Sequence, residues 1–388
     1  MKKLYNKRIE RCAEIDHKAF ASAKVLLGIE DAVNLWDVRN VLREDLSKVT
    51  CIVAGFPCQS ISSIGEQAGI SNTCLDCGHT FSPLDVDVIG VCPVCGSTNI
   101  EETPSSLVAY VLEAIRKIRP QLVVMENVAN FATSKKFRTD FEKINAKIKS
   151  FGYNLYWKVL NARDYGSVQN RRRVIWVCVR VDVDAGFEFP EPYGITRDLQ
   201  TILEDCSDVF ANTDAKVIID SSISPYIRTT IEKHIDEIIS SDAETLKLPC
   251  KSGWADHMIG LKKIPTLRAS NSTCIVRQVY KDADGNDRYY IKKLTPKERW
   301  LATGFTAEDY EKVSKINCKT QLNHQTGNSI CIEMLVAVWW ELFKRMPYLF
   351  EDMYLLSLFQ GVGAFERSLD ILYSEINLYR EEDRYEKY

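Results

Sequence analysis

The sequence predicts an α/β protein with a doubly wound sheet, and three strand-like runs support this prediction. Val49–Ala54 is apolar and β-branched, and Gly55 and Pro57 break it. Gln121–Met125 is a second run of this kind. Leu355–Leu358 is a third, followed by a glycine turn and an amphipathic helix. In open α/β sheets ligands bind outside the carboxyl ends of the strands, so residues that follow these runs are candidate site residues.

A thiol and a carboxylate follow two of these runs. Cys58 is expected on a turn just past the first strand, and Glu126 is the first residue beyond the second. At one edge of one sheet, the two side chains can serve as a nucleophile and an acid. Each also has a plainer interpretation, because a lone cysteine after a strand is usually a small buried hydrophobe and a lone glutamate there is usually solvated.

Length and composition predict one large domain and a smaller one. The chain has 388 residues, 45% of them hydrophobic and 10% aromatic, and no apolar run approaches a membrane span. Polar and charged residues follow Met1–Lys3, so we expect no signal peptide. A net charge of −3 argues against a generally basic DNA-coating protein and leaves DNA contacts to local patches. The candidate patches are Lys135, Lys136 and Arg138, which solvated surface charge explains equally well, and Arg171–Arg173.

Thirteen cysteines without a secretory signal favour reduced thiols and metal ligands over disulfides. Two Cys-x-x-Cys-Gly knuckles stand out, formed by Cys74, Cys77, Cys92 and Cys95. Tetrahedral zinc accepts four thiolates, and each knuckle points two sulfurs at one ion. The pattern predicts a structural zinc ribbon inserted at residues 71–101. Four unrelated buried thiols or a redox pair would leave the repeated pattern unexplained.

Three motifs in this order resemble the cytosine-5 DNA methyltransferase family: Pro57-Cys58-Gln59, Glu126-Asn127-Val128 and Gln169-x-Arg171-x-Arg173. The resemblance implies a Rossmann-like methyltransferase sheet, S-adenosyl-L-methionine (AdoMet) as cofactor and double-stranded DNA as partner. It implies methyl transfer to carbon 5 of a flipped cytosine through a covalent Cys58 adduct. Glu126 would bind ring nitrogen 3 and the exocyclic amine, Arg171 would hold the base carbonyl, and Arg173 would support Glu126.

The family's motifs follow a rotated order in this chain. The glycine loop that normally comes first resembles Leu355–Glu366, whereas Arg11–Asp16 resembles the second element, which ends in the acid that holds the AdoMet ribose. Gln325–Ser329 resembles the last motif. We therefore interpret the chain as a circular permutant, cut between the first helix and the second strand. The resemblance assigns the cofactor contacts to Phe359, Gly361, Gly363, Glu14, Ile15, Asp37, Val38, Pro57, Asn328 and Ser329.

The middle of the chain is assigned to a smaller target-recognition domain at residues 186–325, with residues 1–185 and 326–388 forming the catalytic domain. Ile264–Ala269 resembles the start of the family's recognition region, and Lys292–Trp300 resembles its organising helix, with Lys292 where arginine is usual. Asp284–Asn286 is expected to form a hairpin turn. Pro104 stands where many relatives have an arginine.

Two other functions remain open at this point: an RNA cytosine methyltransferase of the same superfamily, and an inactive DNA-binding or regulatory protein. The sizeable recognition region and the zinc module favour DNA as the substrate, and intact Cys58, Glu126 and Arg171 favour an active enzyme. We expect a cytoplasmic, nucleoid-associated monomer of bacterial or phage origin, without a membrane contact.

Overall fold

The computed structural model describes residues 5–29, 33–61, 69–193, 197–249, 257–269 and 274–385. The chain divides into two compact units. Unit 1 comprises Met1–Leu160, Arg172–Glu191 and Leu335–Tyr388, and unit 2 comprises Asn161–Arg171 and Pro192–Met334. The expected catalytic domain at residues 1–185 includes Asn161–Arg171, whereas this segment groups with unit 2.

Unit 1 is built on a seven-stranded sheet and a separate three-stranded sheet. Its strands are β1 (Lys7–Ala13), β2 (Val33–Asn34), β3 (Cys51–Ala54), β4 (Asn72–Cys74), β5 (Thr80–Phe81), β6 (Ile100–Glu102), β7 (Leu122–Val128), β8 (Tyr153–Asn161), β10 (Arg172–Arg180) and β17 (Met353–Leu358). Its helices are α1 (His17–Leu27), α2 (Val108–Ile118), α3 (Ala129–Thr133), α4 (Arg138–Ser150), α11 (Ala364–Tyr385) and most of α10 (Ile332–Arg345).

The seven-stranded sheet has the order β2-β1-β17-β3-β7-β10-β8. Neighbouring strands from β2 to β7 pair in parallel, and β10 is antiparallel to β7. Leu358 pairs with both Ala13 and Ala54, and Ala54 pairs with Met125. The four central parallel strands therefore reach the same level at one edge of the sheet.

Apolar side chains on both faces of this sheet form the main core of unit 1. Ile52, Val123 and Trp176 are fully buried in its strands. On α2 the buried side chains recur at helical spacing, with Val108, Val111, Leu112 and Ile115 among them. Each fully buried aliphatic side chain of this size contributes about 1.5–3 kcal/mol through the hydrophobic effect.

Strand β7 is longer than the sequence indicated. The predicted strand ended at Met125, but the observed strand continues to Val128, so the prediction that Glu126 is the first residue beyond the strand was wrong. The antiparallel partner β10 explains the extension, because Ile175 pairs with Glu126 and Arg173 with Val128 after β3 has ended.

The three-stranded sheet lies in the chain between β3 and α2. Strand β4 is central and pairs antiparallel with β5 and β6. Its buried cluster consists of Cys74, Phe81 and Cys92, with Val86 and Ile100 packed against it. This cluster is small for a segment of this length, and Leu84 and Ile89 of the same segment pack into the main core of unit 1.

Unit 2 contains a five-stranded sheet of order β11-β16-β15-β13-β12 and the two-stranded pair β14-β9. Its strands are β9 (Gln169–Asn170), β11 (Val217–Ile219), β12 (Thr245–Leu248), β13 (His257–Gly260), β14 (Ile264–Pro265), β15 (Ile275–Lys281) and β16 (Asp287–Lys293). Its helices are α5 (Pro225–Lys233), α6 (Ile235–Ser240), α7 (Pro296–Leu301), α8 (Ala307–Ser314) and α9 (Lys319–Asn328). Within the described residues of both units, no helix combines the length and apolarity needed to cross a membrane.

The expected hairpin turn in unit 2 is confirmed. Strands β15 and β16 are antiparallel, and the pair Lys281–Asp287 closes the ladder beside the turn. Gly285 adopts φ +83° in this turn, a backbone conformation that glycine reaches without a steric penalty.

A buried ion pair accounts for the lysine that replaces the usual arginine before α7. Lys292 Nζ lies 2.6 Å from Glu298 Oε1, and the two side chains are 3% and 0% exposed. Glu298 Oε2 also accepts a hydrogen bond from the backbone N–H of Thr295, whose hydroxyl accepts from the Glu298 N–H in a capping box. The pair therefore joins the end of β16 to the start of α7.

We expect Lys292→Ala to lower the free energy of unfolding by about 3–5 kcal/mol, because it leaves the Glu298 carboxylate buried without its counterion. Urea denaturation followed by circular dichroism measures the change. Lys293→Ala is the matched control on the same strand, and it should cost less than about 1 kcal/mol. Equal losses in the two variants would contradict the importance of the pair.

Candidate active site at the carboxyl edge of the sheet

The site residues of unit 1 meet where the central strands reach a common level. Glu14 follows β1, Phe359 follows β17 and Gly55 follows β3. Glu126 lies at the same level, one residue beyond the β7 position that pairs with the end of β3. The Phe359 N–H donates to the carbonyl of Ala13 at 2.8 Å, so the backbone contact between β17 and β1 continues past the strand ends. This alignment brings residues from both ends of the sequence to one edge.

The glycine turn after β17 contacts the acid after β1. The Gly361 N–H donates to Glu14 Oε2 at 2.7 Å, and the Asp16 N–H donates to Glu14 Oε1 at 2.8 Å. Burial raises the pKa of the Glu14 carboxyl, and these N–H groups offset part of that rise. A Cβ on Gly363, at φ +82°, would lie 2.8 Å from Leu27 Cδ1, so this position requires glycine.

An asparagine at the end of β2 connects a second turn to the backbone of the same residue, Glu14. Asn34 Oδ1 accepts from the backbone N–H groups of Glu14 and Trp36 at 3.0 and 2.9 Å, and Asn34 Nδ2 donates to the Glu14 carbonyl at 2.9 Å. Trp36 adopts φ +60°, and its ring centroid lies 4.2 Å from that of His17. Asp37 then caps a 3₁₀ helix at Val38–Arg43. Sequence reasoning missed Asn34, because nothing in the spacing connects it to an acid twenty positions earlier.

These two turns fit the cofactor expected from the sequence. Ile15 and Trp36 are 71% and 40% exposed, so apolar surface lies beside the carboxylates of Glu14 and Asp37. Such a surface can contact an adenine ring, while a carboxylate accepts hydrogen bonds from ribose hydroxyls. Phe359 shares the left-handed conformation of Trp36, with φ +56°. Backbone strain of this kind costs about 1–3 kcal/mol per residue and clusters at functional sites.

The loop that carries Cys58 is held by side chains from neighbouring segments. Cys58 is half-buried, and its carbonyl accepts from the Ile61 N–H at 3.0 Å. Three side chains donate to backbone carbonyls of the loop: Asn127 to Phe56 at 3.0 Å, Ser105 to Pro57 at 2.9 Å and Asn130 to Ile61 at 2.8 Å. Sequence reasoning missed the roles of Ser105 and Asn130, because such contacts depend on tertiary structure.

Glu126 and Arg173 form an ion pair beside this loop. Arg173 Nε lies 2.6 Å from Glu126 Oε1, and the side chains are 12% and 11% exposed. Glu126 Oε2 would lie 3.8 Å from a Cβ placed on Gly55, so the carboxylate faces the start of the Cys58 loop. A partly desolvated carboxylate of fixed orientation can recognise a hydrogen-bonding edge of a ligand.

Three of the predicted site residues lie in unit 2: Arg171, Asn328 and Ser329. Arg171 is 2% exposed. Its guanidinium donates to the backbone carbonyls of Leu267, Gly327 and Ser329 at 2.8, 2.9 and 2.6 Å. Asn328 is the last residue of α9. In this structure Arg171 therefore fixes the backbone around the end of that helix.

The four cysteines of the knuckles converge in unit 1. Their Sγ atoms all lie within 4.8 Å of one another, with 3.5 Å between Cys74 and Cys95 and 3.7 Å between Cys77 and Cys92. Tetrahedral zinc with Zn–S bonds of about 2.3 Å requires sulfur separations of about 3.8 Å. The glycines of both knuckles adopt φ +73°, so the two turns have the same local geometry. The donor set therefore fits zinc.

The predicted basic patch at the start of α4 is exposed. Lys135 and Lys136 lie in a short 3₁₀ turn, and Arg138 Nε pairs with Glu142 at 2.7 Å. Exposed side chains of this kind are compatible with DNA phosphates and equally with solvated surface charge.

Comparisons with known proteins identify the family. A family model described as C-5 cytosine-specific DNA methylase matches residues 7–75 and 94–344. Type II methyltransferase M2.ScrFI of Lactococcus lactis subsp. cremoris is 27% identical over 312 residues, which cover 80% of this chain and 71% of that protein. Type II methyltransferase M.HhaI of Haemophilus parahaemolyticus is 26% identical over 304 residues, 77% of each chain.

The solved structures agree on the fold. The Entamoeba histolytica methyltransferase EhMeth superposes with a TM-score of 0.52 at 14% identity, covering 87% of this chain and 89% of that one. The present chain therefore has the mixed α/β methyltransferase fold. It belongs to the C-5 cytosine-specific DNA methylase family and is an AdoMet-dependent DNA cytosine-5 methyltransferase.

Proposed function

We propose that Cys58 is the nucleophile and Glu126 the base-binding acid of this methyltransferase, at the sheet edge that also carries the cofactor turn. The observation that supports this most directly is the Glu126–Arg173 pair beside the Cys58 loop. Carbon 5 of cytosine is a weak nucleophile inside a stacked duplex. The target base must therefore leave the helix, at a cost of a few kcal/mol.

The Cys58 thiolate adds to ring carbon 6, which raises the electron density on carbon 5. Glu126 binds ring nitrogen 3 and the exocyclic amine, and so selects cytosine. Arg173 holds the Glu126 carboxylate in place through its 2.6 Å contact. Bound AdoMet supplies the electrophilic methyl group. A base then takes the carbon-5 proton, and the bond between Cys58 and carbon 6 breaks to restore the aromatic ring.

For the cofactor, Glu14 would accept hydrogen bonds from the ribose hydroxyls, and Asp37 and Val38 would contact the adenine. The exposed side chain of Ile15 and the carboxylate of Glu14 support this assignment. The remaining contacts of unit 1 are proposed for Pro57, Phe359, Gly361 and Gly363. Asn328 and Ser329 of unit 2 stay candidates on the resemblance alone.

For Arg171 we propose a positioning role. The base carbonyl was its expected partner, but its guanidinium donates to three backbone carbonyls of unit 2. Buried charge-assisted hydrogen bonds of this kind fix a backbone firmly. Unit 2, which contains most of residues 186–325, is our proposed target-recognition domain.

The order of strands in the sheet supports a circular permutation. Strand β17, which precedes the glycine turn, pairs between β1 and β3 although it follows both in sequence. The family match ends at residue 344, before this strand and its turn. We propose that β17 and α11 are the family's first element in a rotated position.

The family match also omits residues 76–93, which supports an inserted module. We propose that Cys74, Cys77, Cys92 and Cys95 hold one structural zinc ion in a ribbon at residues 71–101. Four thiolates fill the coordination sphere of zinc, so the ion would stabilise the fold without taking part in catalysis.

The nucleophile is tested with duplex DNA that contains 5-fluorocytosine, because fluorine at carbon 5 prevents release of the cysteine. We expect wild-type protein with AdoMet to form a covalent adduct that resists denaturing electrophoresis, and Cys58→Ala to form none. Cys318→Ala, which removes an exposed cysteine of unit 2, should leave the adduct unchanged. An adduct with Cys58→Ala would refute the assignment. Bisulfite sequencing of DNA from an expressing host identifies the substrate sites needed for this assay.

The ion pair is tested by Arg173→Ala. We expect single-turnover methyl transfer to slow by about 100-fold, because removing a buried counterion costs about 3 kcal/mol and lets Glu126 change orientation. Arg180→Ala, at the other end of β10 and paired with Asp182, should change the rate less than twofold. A wild-type rate in Arg173→Ala would exclude the supporting role.

The metal site predicts about one zinc per chain in protein purified under reducing conditions, as measured by native mass spectrometry. Cys77→Ala should lose the ion and lower the Tm, because a module with a small core depends on metal for its fold. Cys318→Ala again serves as the matched control and should retain zinc. Wild-type protein free of zinc would remove the assignment.

A further inference from the structure

One carboxylate, that of Glu102, connects the four-cysteine module to the turn assigned to adenine. Glu102 ends β6, the last strand of the module, and its side chain is 9% exposed. Its Oε2 accepts from Arg39 Nε and Nη2 at 3.0 and 2.5 Å. Its Oε1 accepts from the Tyr110 hydroxyl at 3.0 Å. Both oxygens are therefore held, and the carboxylate has a fixed orientation.

On the module side, strand pairing connects Glu102 to a cysteine of the knuckles. Cys74 pairs with Ile100, and Asn72 pairs with Glu102, in the β4–β6 ladder. The Leu75 N–H donates to the Asn99 carbonyl at 2.9 Å, which extends this ladder into the first knuckle. The position of Glu102 therefore depends on the conformation of the knuckle.

On the cofactor side, Arg39 continues the connection to Asp37. Arg39 Nη1 lies 2.6 Å from Asp37 Oδ2, while the Arg39 N–H donates to Asp37 Oδ1 at 2.9 Å. A guanidinium can bind two carboxylates at once in fixed geometry, which a lysine ammonium cannot do equally well. The Asp37 side chain is therefore held by Arg39 of its own 3₁₀ helix, and Arg39 is in turn held by Glu102.

Tyr110 reinforces this arrangement from α2. The Arg39 guanidinium lies 5.8 Å from the centre of the Tyr110 ring. Burial, with the neighbouring Glu102 charge, raises the pKa of Tyr110 to about 12, so its hydroxyl remains a donor at neutral pH. A Cβ on Gly90, just before the second knuckle, would lie 3.2 Å from this hydroxyl. The module therefore approaches Tyr110 at Gly90 and contacts Arg39 through Glu102.

We propose that Arg39 and Glu102 are positioning residues for AdoMet binding, and that metal held by the four cysteines strengthens that binding through them. The inference rests on the proposed function, because it takes Asp37 as an adenine contact and the cysteines as a zinc site. Loss of the metal frees the knuckles, loosens β6 and releases Glu102 from Arg39. The Asp37 turn then has more conformations to lose when the cofactor binds, and the affinity falls.

The first test measures AdoMet affinity by isothermal titration calorimetry on the zinc-loaded full chain, without DNA. We expect Glu102→Ala and Arg39→Ala each to weaken binding about three- to tenfold, the range of charge-assisted contacts at partly exposed sites. Arg39→Lys should give an intermediate loss, because it keeps one contact of the two. Glu101→Ala, an exposed neighbour on the same strand, should bind as wild type does. The kcat at saturating AdoMet should stay within twofold in all four variants, so that the effect appears in KM.

The second test repeats the titration after zinc removal. Zinc removal should weaken AdoMet binding by wild-type protein about as much as the Glu102→Ala substitution does. In the Glu102→Ala variant, zinc removal should weaken binding by less than a further twofold. Equal losses on zinc removal in both proteins would overturn the connection through Glu102. Wild-type affinity in Glu102→Ala, with Tm and circular dichroism unchanged, would also overturn it.

A Glu14→Ala titration separates this inference from the proposed cofactor site. If Glu14→Ala weakens AdoMet binding while the Glu102 and zinc variants do not, the cofactor site stands and the connection is wrong. If zinc-loaded wild-type protein does not bind AdoMet, or Glu14→Ala binds it as tightly as wild type, the proposed cofactor site fails and the inference fails with it.

Discussion

The parallel pairing of β17 between β1 and β3 is the constraint on which the site depends. Leu358 pairs with Ala13 on one side and Ala54 on the other, so Glu14, Phe359 and Gly55 follow at one level. A shift of one residue in this register would turn every side chain of β17 to the opposite face. It would also move the Gly361 N–H away from the Glu14 carboxylate, its partner at 2.7 Å. The contact between the glycine turn and Glu14 is therefore set by strand register.

The position of the cysteine module in the chain brings the residues at and just beyond its end into contact with both parts of this edge. It lies between β3 and α2 in the chain, so its first strand follows the Cys58 loop and its last strand precedes α2. Ser105, three residues beyond β6, donates to the Pro57 carbonyl, whereas Glu102 contacts Arg39. Residues 102–105, at the end of the module, thus contact both the Cys58 loop and the turn that carries Arg39. A module at this point of the chain can influence both without lining either.

Local sequence was sufficient to predict the strands, the knuckles and the hairpin, because apolar runs, Cys-x-x-Cys spacing and turn residues act over short distances. It was insufficient for Glu126, which lies inside β7 because the antiparallel strand β10 extends the pairing. The grouping of Asn161–Arg171 with unit 2 could not be predicted for a similar reason, since this segment carries no compositional sign of it. The role of Asn34, whose amide fixes the Glu14 backbone, could not be predicted because it arises from a contact between two turns that are separate in the sequence. Polar side chains that position other residues do not recur at a regular spacing, so no sequence pattern identifies them.

Two arginines of one short motif have different partners, although they lie only two positions apart in the sequence. Arg171 is the last residue of its segment in unit 2 and binds backbone carbonyls, whereas Arg173 lies in unit 1 and neutralises Glu126. Arg173 lies in β10 and pairs with Val128 of β7. This pairing places it beside the residues that flank the Cys58 loop. Both tasks need a planar guanidinium with several fixed donors, so lysine would be a poor replacement for either residue. The motif therefore contains a backbone anchor in unit 2 and a counterion in unit 1, on either side of the chain boundary after Arg171.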